Sequence, residues 1–191
     1  ISQMDLDSLP ESLRGCVNIT KLRIVHTEID TIQSWIGVFS NLVDLSIYDS
    51  HVSEIPASIG ELSELRNLEL FRSGIQHIPE EISKLSKLEY LKIATNPLDT
   101  LYPSWNKLRE LRRLDLAVLG LSDFPDFILS LENLEYLRID DNNIQSLPDS
   151  IIKLESLKEI CAPGNNFSDS EQVRIRALLP NVHVPFSIEE I

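Results

Sequence analysis

The apolar skeleton of residues 42–62 returns at residues 65–85. Leu42, Leu45, Ile47, Val52, Ile55, Pro56, Ile59 and Leu62 recur as Leu65, Leu68, Leu70, Ile75, Ile78, Pro79, Ile82 and Leu85, each displaced by 23 residues. No insertion breaks this register from Ile19 to Leu157. Within a unit, apolar residues fall at positions 1, 4, 6, 11, 14, 18 and 21, often with proline at 15. Six consecutive units begin at Ile19, Leu42, Leu65, Leu88, Leu111 and Leu134. A unit this short cannot bury its own apolar face, so the period demands stacking of like on like.

Positions 3 to 7 alternate polar and apolar, as in Asn67, Leu68, Glu69, Leu70 and Phe71. Period two means a strand with one buried face. Stacked units then form a parallel sheet over one continuous core. The remainder of each unit, such as "PASIGELSEL" from Pro56 to Leu65, carries the chain back in a short helical or 3₁₀ segment. That return arc is the wider one, so the expected fold is an α/β repeat solenoid, a right-handed curved coil. Strands line its concave side and 3₁₀ segments its convex side.

"LEYLRIDDNNIQSLPDSIIKL", from Leu134 to Leu154, resembles a leucine-rich repeat, L-x-x-L-x-L-x-x-N/C-x-L. The 23-residue form is similar to that of the leucine-rich repeat proteins of spirochaetes such as Leptospira, and to the eukaryotic Ras-suppressor and Scribble type. The first resemblance implies a secreted or surface-exposed bacterial protein in contact with a host. The second implies an intracellular, cytoplasmic signalling scaffold. Both imply a non-catalytic module that binds a protein partner.

Position 9 of this pattern is normally Asn, whose side chain satisfies backbone groups at the buried turn. Asn96, Asn142 and Asn165 keep it, and Thr27, Ser50 and Ser73 substitute in part. Met4 and Leu119 do not, which predicts a weaker ladder near Leu119.

The expected organisation is one domain over 1–191: a partial unit over 1–18, repeats over 19–167, and a capping helix and tail over 168–191. Ser168-Asp169-Ser170-Glu171 is a capping box that starts a helix near Asp169 and ends it before Pro180. Val173, Ile175, Ala177, Leu178 and Leu179 are its expected apolar face, and Val182 and Val184 suggest a final strand. At the other end the register reaches back through Cys16, Leu13, Pro10, Leu9 and Leu6 to Met4, with no polar cap. This bare end reads as truncation, or as removal of a signal and cap; the other reading is an open edge that self-associates.

Net charge is −13, which argues against nucleic acid or an anionic membrane as partner, since both reward Lys and Arg. No run approaches the roughly 18 apolar residues of a membrane helix, so no membrane insertion is expected. There is no P-loop, Gly-rich turn or nucleophile elbow, and no cofactor or metal is expected. His26 and His51 fall on adjacent units with Asp49 close, but without a ligand spacing. Cys16, at an apolar position, reads as core. Cys161 reads as concave, without an activating histidine.

Positions 3, 5, 7 and 8 are left to meet something else. Position 5 alternates in sign through Glu69, Lys92, Asp115 and Arg138, expected to pair across the sheet. Tyr48, Phe71 and Tyr90, aromatic side chains pointing away from a core, form the expected partner-binding patch, extended by Val25, Tyr136, Lys92 and Arg138.

Overall fold

The structure, a computed structural model, describes Ile1 and residues 7–190. Met4 and Leu6 of the expected partial unit lie outside the described residues. Seven parallel strands stand in sequence order in one sheet. They are β1 (Lys21–Val25), β2 (Asp44–Tyr48), β3 (Asn67–Phe71), β4 (Tyr90–Lys92), β5 (Arg113–Asp115), β6 (Tyr136–Arg138) and β7 (Glu159–Cys161). Every registered pair is 23 residues apart, as in Leu45↔Leu68 and Leu91↔Leu114. The sequence period is thus the strand register itself. Positions 4 and 6 point inward, and Leu22, Ile24, Leu68, Leu70, Leu137 and Ile139 are all buried.

The return arcs are 3₁₀ segments of five residues, among them Ala57–Glu61, Glu80–Lys84 and Asp149–Lys153. The preceding proline fixes φ near the value that launches them: Pro56, Pro79 and Pro148 have φ of −71°, −71° and −68°. Each drives one apolar side chain inward, Ile59, Ile82 and Ile151 here and Trp105 in Pro103–Lys107. Neighbouring arcs pack closely at Gly60, where an added Cβ would lie 2.6 Å from the Glu81 carbonyl oxygen. A side chain there would push the next unit away.

After each strand the chain turns at position 8 with left-handed backbone. His26, Asp49, Arg72, Thr95, Val118 and Asp141 have φ between 46° and 56°, and Gly164 has 70°. Asp tolerates this region; a β-branched side chain, as at Thr95 and Val118, occupies it under strain. Val118 is also 43% exposed, so its methyl groups recover little by burial. Val118→Asn is expected to stabilise the chain by about 1 kcal/mol, as relief of part of the roughly 1–2 kcal/mol strain of that conformation. A higher urea midpoint with unchanged slope is the signature; an unmoved midpoint removes the strain argument.

The position-9 side chains do graded work beneath these turns. The Asn142 Oδ1 accepts from the Leu119 and Leu121 N–H groups at 3.0 Å each, and its Nδ2 donates to the carbonyls of Leu116, Ile139 and Asp140. Asn96 repeats the pattern one turn pair earlier, on Ser73, Ile75, Leu70, Ile93 and Ala94. Each Asn therefore serves the turn of the preceding unit. The backbone at Leu119 is well held, by Asn142. The gap falls one unit earlier, where Leu119 offers the Asn96–Leu98 turn no oxygen. Ser73 reaches two carbonyls, Ser50 one, and the buried Thr27 hydroxyl none.

Helix α1 (Asp169–Leu178) begins at Ser168, whose hydroxyl accepts from the Glu171 N–H at 3.2 Å. The Glu171 carboxylate does not complete the box. It accepts from the Leu147 N–H at 3.1 Å and binds Arg174, tying the helix to the preceding unit. Ile175 and Leu179 are buried and Leu178 is half-buried, but Val173 is 70% exposed and Ala177 is exposed too. Residues 173 and 177 lie on the far side of a 3.6-residue helix from 175 and 179. Past the helix, His183 pairs with Glu159 in parallel, and the Ile160 and Ala162 N–H groups donate to the carbonyls of His183 and Pro185. This adds a last rung beside β7. Cys16, read as core from its position, is exposed, because among the described residues its unit is flanked by a neighbour on one side only.

Candidate functional site: the strand face

The outward positions of seven strands form the concave face. Tyr48 and Phe71, side by side in register, meet edge to face with centroids 6.5 Å apart. The Arg23 guanidinium lies over Tyr48 at 5.8 Å, and the Lys92 ammonium over Phe71 at 4.1 Å. Both contacts are within cation–π range. Val25, half-buried, is the register partner of Tyr48 on the other side. These residues make one continuous aromatic and cationic strip over the C-terminal halves of β1–β4.

Tyr90 and Tyr136 stand apart from that strip, at position 3. Tyr90 lines two open depressions at once. One is bounded by Lys21, Arg23, Tyr48 and Glu69; the other by Lys92, Arg113, Tyr136, Arg138 and Glu159. Burial, then the charges of Glu69 and Asp115, pushes the Tyr90 hydroxyl up to about 12. Tyr136 faces Arg113, whose guanidinium lies 5.0 Å from its ring centroid. Tyr90 thus shares one depression with Tyr48 and the other with Tyr136.

The position-5 charges pair only in part. Asp115, 4% exposed, receives Lys92 at 3.8 Å and Arg138 at 3.9 Å. Arg138 grips Asp140 more closely, with two bonds of 3.0 and 2.9 Å. These bonds, above all, raise the guanidinium's pKa. Glu69 has no ion pair with Lys92 among the described residues, because Lys92 is turned onto Phe71. Burial raises the Asp115 pKa more than its partners lower it. An acid whose folded pKa lies above its unfolded value destabilises the fold once pH exceeds both. Asp115→Asn keeps an oxygen for the Ala117 N–H and leaves Arg138 on Asp140. It is expected to raise the melting temperature at pH 7, with the gain shrinking as pH falls through the folded pKa and absent below the unfolded one. A variant less stable at pH 7 would mean that the two cations outweigh desolvation.

A second charge row escaped the reading of position 5, although its signal is in the sequence. Position 2 runs Arg66, Glu89, Arg112, Glu135, Lys158, opposite in sign to position 5 of the same unit wherever both are charged. Arg66 binds Glu89, Arg112 binds Glu135 at 2.7 Å, and Lys158 binds Glu135. Such exposed pairs contribute about 0–1 kcal/mol each. They also alternate with a 46-residue period, so sliding one unit along the stack sets like charges together.

The histidines do not converge. His26 faces Asp49 at 3.5 Å and His51 faces Glu28 at 2.9 Å. Among the described residues, no group of three or more His, Cys, Asp or Glu is placed to hold a metal. Cys161 is buried, and burial raises its thiol pKa. No helix among the described residues is long and apolar enough to cross a membrane.

The family described as Leucine Rich Repeat matches residues 133–154. No curated protein matches the chain. Among solved structures, a leucine-rich repeat protein of Leptospira interrogans is 28% identical, with TM-score 0.89 over 95% of this chain and 46% of its own. An internalin of Listeria monocytogenes shares the fold at 18% identity and TM-score 0.80, over 95% of this chain and 52% of its own. The Arabidopsis receptor kinase HAESA, solved with a peptide hormone and a co-receptor, is 29% identical with TM-score 0.69, over 83% of this chain and 28% of its own. The chain therefore spans about half or less of each of these proteins. This fold typically serves as a protein–protein interaction module. With its 23-residue register, its seven-stranded sheet and these likenesses, the chain has the leucine-rich repeat fold of the 23-residue type and is similar to the spirochaete protein.

Proposed function

We propose that this chain binds a protein partner through its strand face, without catalysis, in a secreted or cell-surface setting. The observation that carries the reading is the Tyr48–Phe71 pair. It is half-buried, edge to face, flanked by Arg23 and Lys92, and projects from a sheet whose core lies on the other side. Aromatic side chains so placed supply contact area at low entropic cost, and a stacked scaffold holds them in place before contact. Tyr90 extends the anchor, while Val25, Tyr136, Lys92 and Arg138 border it. The peptide hormone bound to HAESA supports a polypeptide as occupant. The likeness to the Leptospira protein supports the bacterial setting.

The test is a paired capture from serum and extracellular-matrix proteins and, separately, from cytosol. One bait is the natural chain; the other carries Tyr48→Asp and Phe71→Asp, with an unchanged circular dichroism spectrum required. A partner held by the natural chain alone supports the reading, and its source decides the compartment. Partners held equally by both baits refute it.

A further inference from the structure

Arg113 occupies a singular place on the strand face. It is exposed, at position 3 of β5, and its register partners on both sides are tyrosines, Tyr90 and Tyr136. The chain has 30 acidic residues against 17 basic ones, and most of its basic side chains sit within salt-bridge distance of a carboxylate. Arg113 does not, among the described residues. Asp115, two residues along the same strand and on the same face, is turned to Lys92 and Arg138 instead. Arg112, its chain neighbour, points the other way, onto Glu135. The guanidinium stacks on Tyr136 at 5.0 Å, a contact that engages its face and leaves its N–H edge free. It opens on a depression of about 440 Å³ shared with Tyr90, Lys92, Arg138 and Glu159.

We infer that this depression receives a carboxylate side chain of an extended peptide in the partner, with Arg113 as its fork and the Tyr90 and Tyr136 hydroxyls as flanking donors. The inference rests on the reading that the strand face binds protein. A planar carboxylate accepts two parallel bonds from a guanidinium. The depression sets Lys92, Arg113 and Arg138 against Asp115 and Glu159, a net charge of +1 that a singly charged carboxylate neutralises and a doubly charged phosphate overshoots. The Tyr136 ring beneath the guanidinium holds the fork in orientation. An acidic partner for an acidic chain also makes this contact a filter: a carboxylate delivered to Arg113 escapes the general repulsion.

The experiment selects a randomised display library of 12-residue peptides on the folded chain. Selected peptides are then resynthesised, C-terminally amidated, with each acidic residue in turn as Glu, Gln or phosphoserine, and with free-acid copies as a separate arm. Affinities are read by fluorescence polarisation against the natural chain, Arg113→Gln, Arg113→Lys, Lys153→Gln and the Tyr48→Asp, Phe71→Asp double variant. The expected result is enrichment of an acidic residue whose change to Gln weakens binding by roughly tenfold or more, the scale of a lost charge-assisted bond. Arg113→Gln weakens the Glu peptides equally and leaves the Gln peptides unchanged; Arg113→Lys restores part; Lys153→Gln, a convex cation, changes nothing. Phosphoserine binds more weakly than Glu. Free-acid peptides that bind without an internal acid would move the site to a chain terminus and overturn the side-chain assignment. Peptides without acidic enrichment, or insensitive to Arg113→Gln, overturn it as well, as does an empty selection. If those same peptides are lost with Tyr48→Asp and Phe71→Asp, the strand-face reading survives its failure; if neither change matters, both fall.

Discussion

Asn142→Leu is expected to destabilise the chain by about 3–5 kcal/mol, because two half-buried N–H groups lose their acceptor at roughly 1–3 kcal/mol each and three carbonyls lose a donor. The two donors, at Leu119 and Leu121, meet the same Oδ1 at 3.0 Å, and Asn142 is 4% exposed, so water cannot replace it without opening the stack. The chain contains its own comparison. Leu119 occupies the equivalent position one unit earlier and leaves the Asn96–Leu98 turn without this service. Two consecutive gaps would then lie under one strip of the sheet, and cost more than two distant ones. Leu119→Asn is the reciprocal change and is expected to stabilise by about 1 kcal/mol, one net buried hydrogen bond. Urea titration followed by circular dichroism reads both. An Asn142→Leu loss below 1 kcal/mol would show that these turns are held by packing and not by the asparagine ladder.

How much of this was legible in the sequence follows from what repeats. The register, the inward positions, the 3₁₀ arcs after proline and the helix starting at Asp169 are dictated by local pattern, and each is where the residues place it. Errors arose where a residue's neighbour matters more than its position. Cys16 has an apolar position but lacks a second flanking unit. Val173 and Ala177 are apolar but lie on the wrong side of the helix. Glu171 has the capping-box identity, yet the Leu147 N–H and Arg174 claim its carboxylate.

The strand face was legible as rows and not as contacts. Register gave Tyr48 beside Phe71 and Tyr90 beside Arg113 correctly. It gives no account of rotamers: of the position-5 row, Lys92 and Arg138 both reach Asp115, but Lys92 also stacks on Phe71 and Arg138 also grips Asp140. Tyr90 shares a depression with Tyr48 although position 3 lies at the other end of the strand from position 7. The alternating charges of position 2 were open to the same count as those of position 5.

Trp105→Ala tests how far the stack behaves as one body. Trp105 fills position 18, where the flanking units carry Ile82 and Ile128, and it is 0% exposed. Its ring meets Phe127 at 5.8 Å and Tyr102 at 6.3 Å, and Tyr102 meets His77 at 6.3 Å. Trp105 and Tyr102 together therefore link aromatic residues from three successive units. Truncation is expected to cost about 3–5 kcal/mol, the usual loss for a buried Trp with a cavity left behind. In a solenoid each unit contacts only its neighbours, so a loss at one interface weakens the coupling between the two sides as well as the total. The N-terminal side is the weaker, since Thr27, Ser50 and Ser73 supply fewer bonds to their turns than Asn142 and Asn165 do. The chain has two tryptophans, so in this variant Trp35 alone reports by fluorescence, and it sits on the N-terminal side. The fluorescence midpoint in urea should then fall below the midpoint of the far-ultraviolet circular dichroism, which averages all units. In the natural chain the two should agree. Coincident midpoints in the variant would mean that the continuous sheet, and not the aromatic rung, couples the two sides.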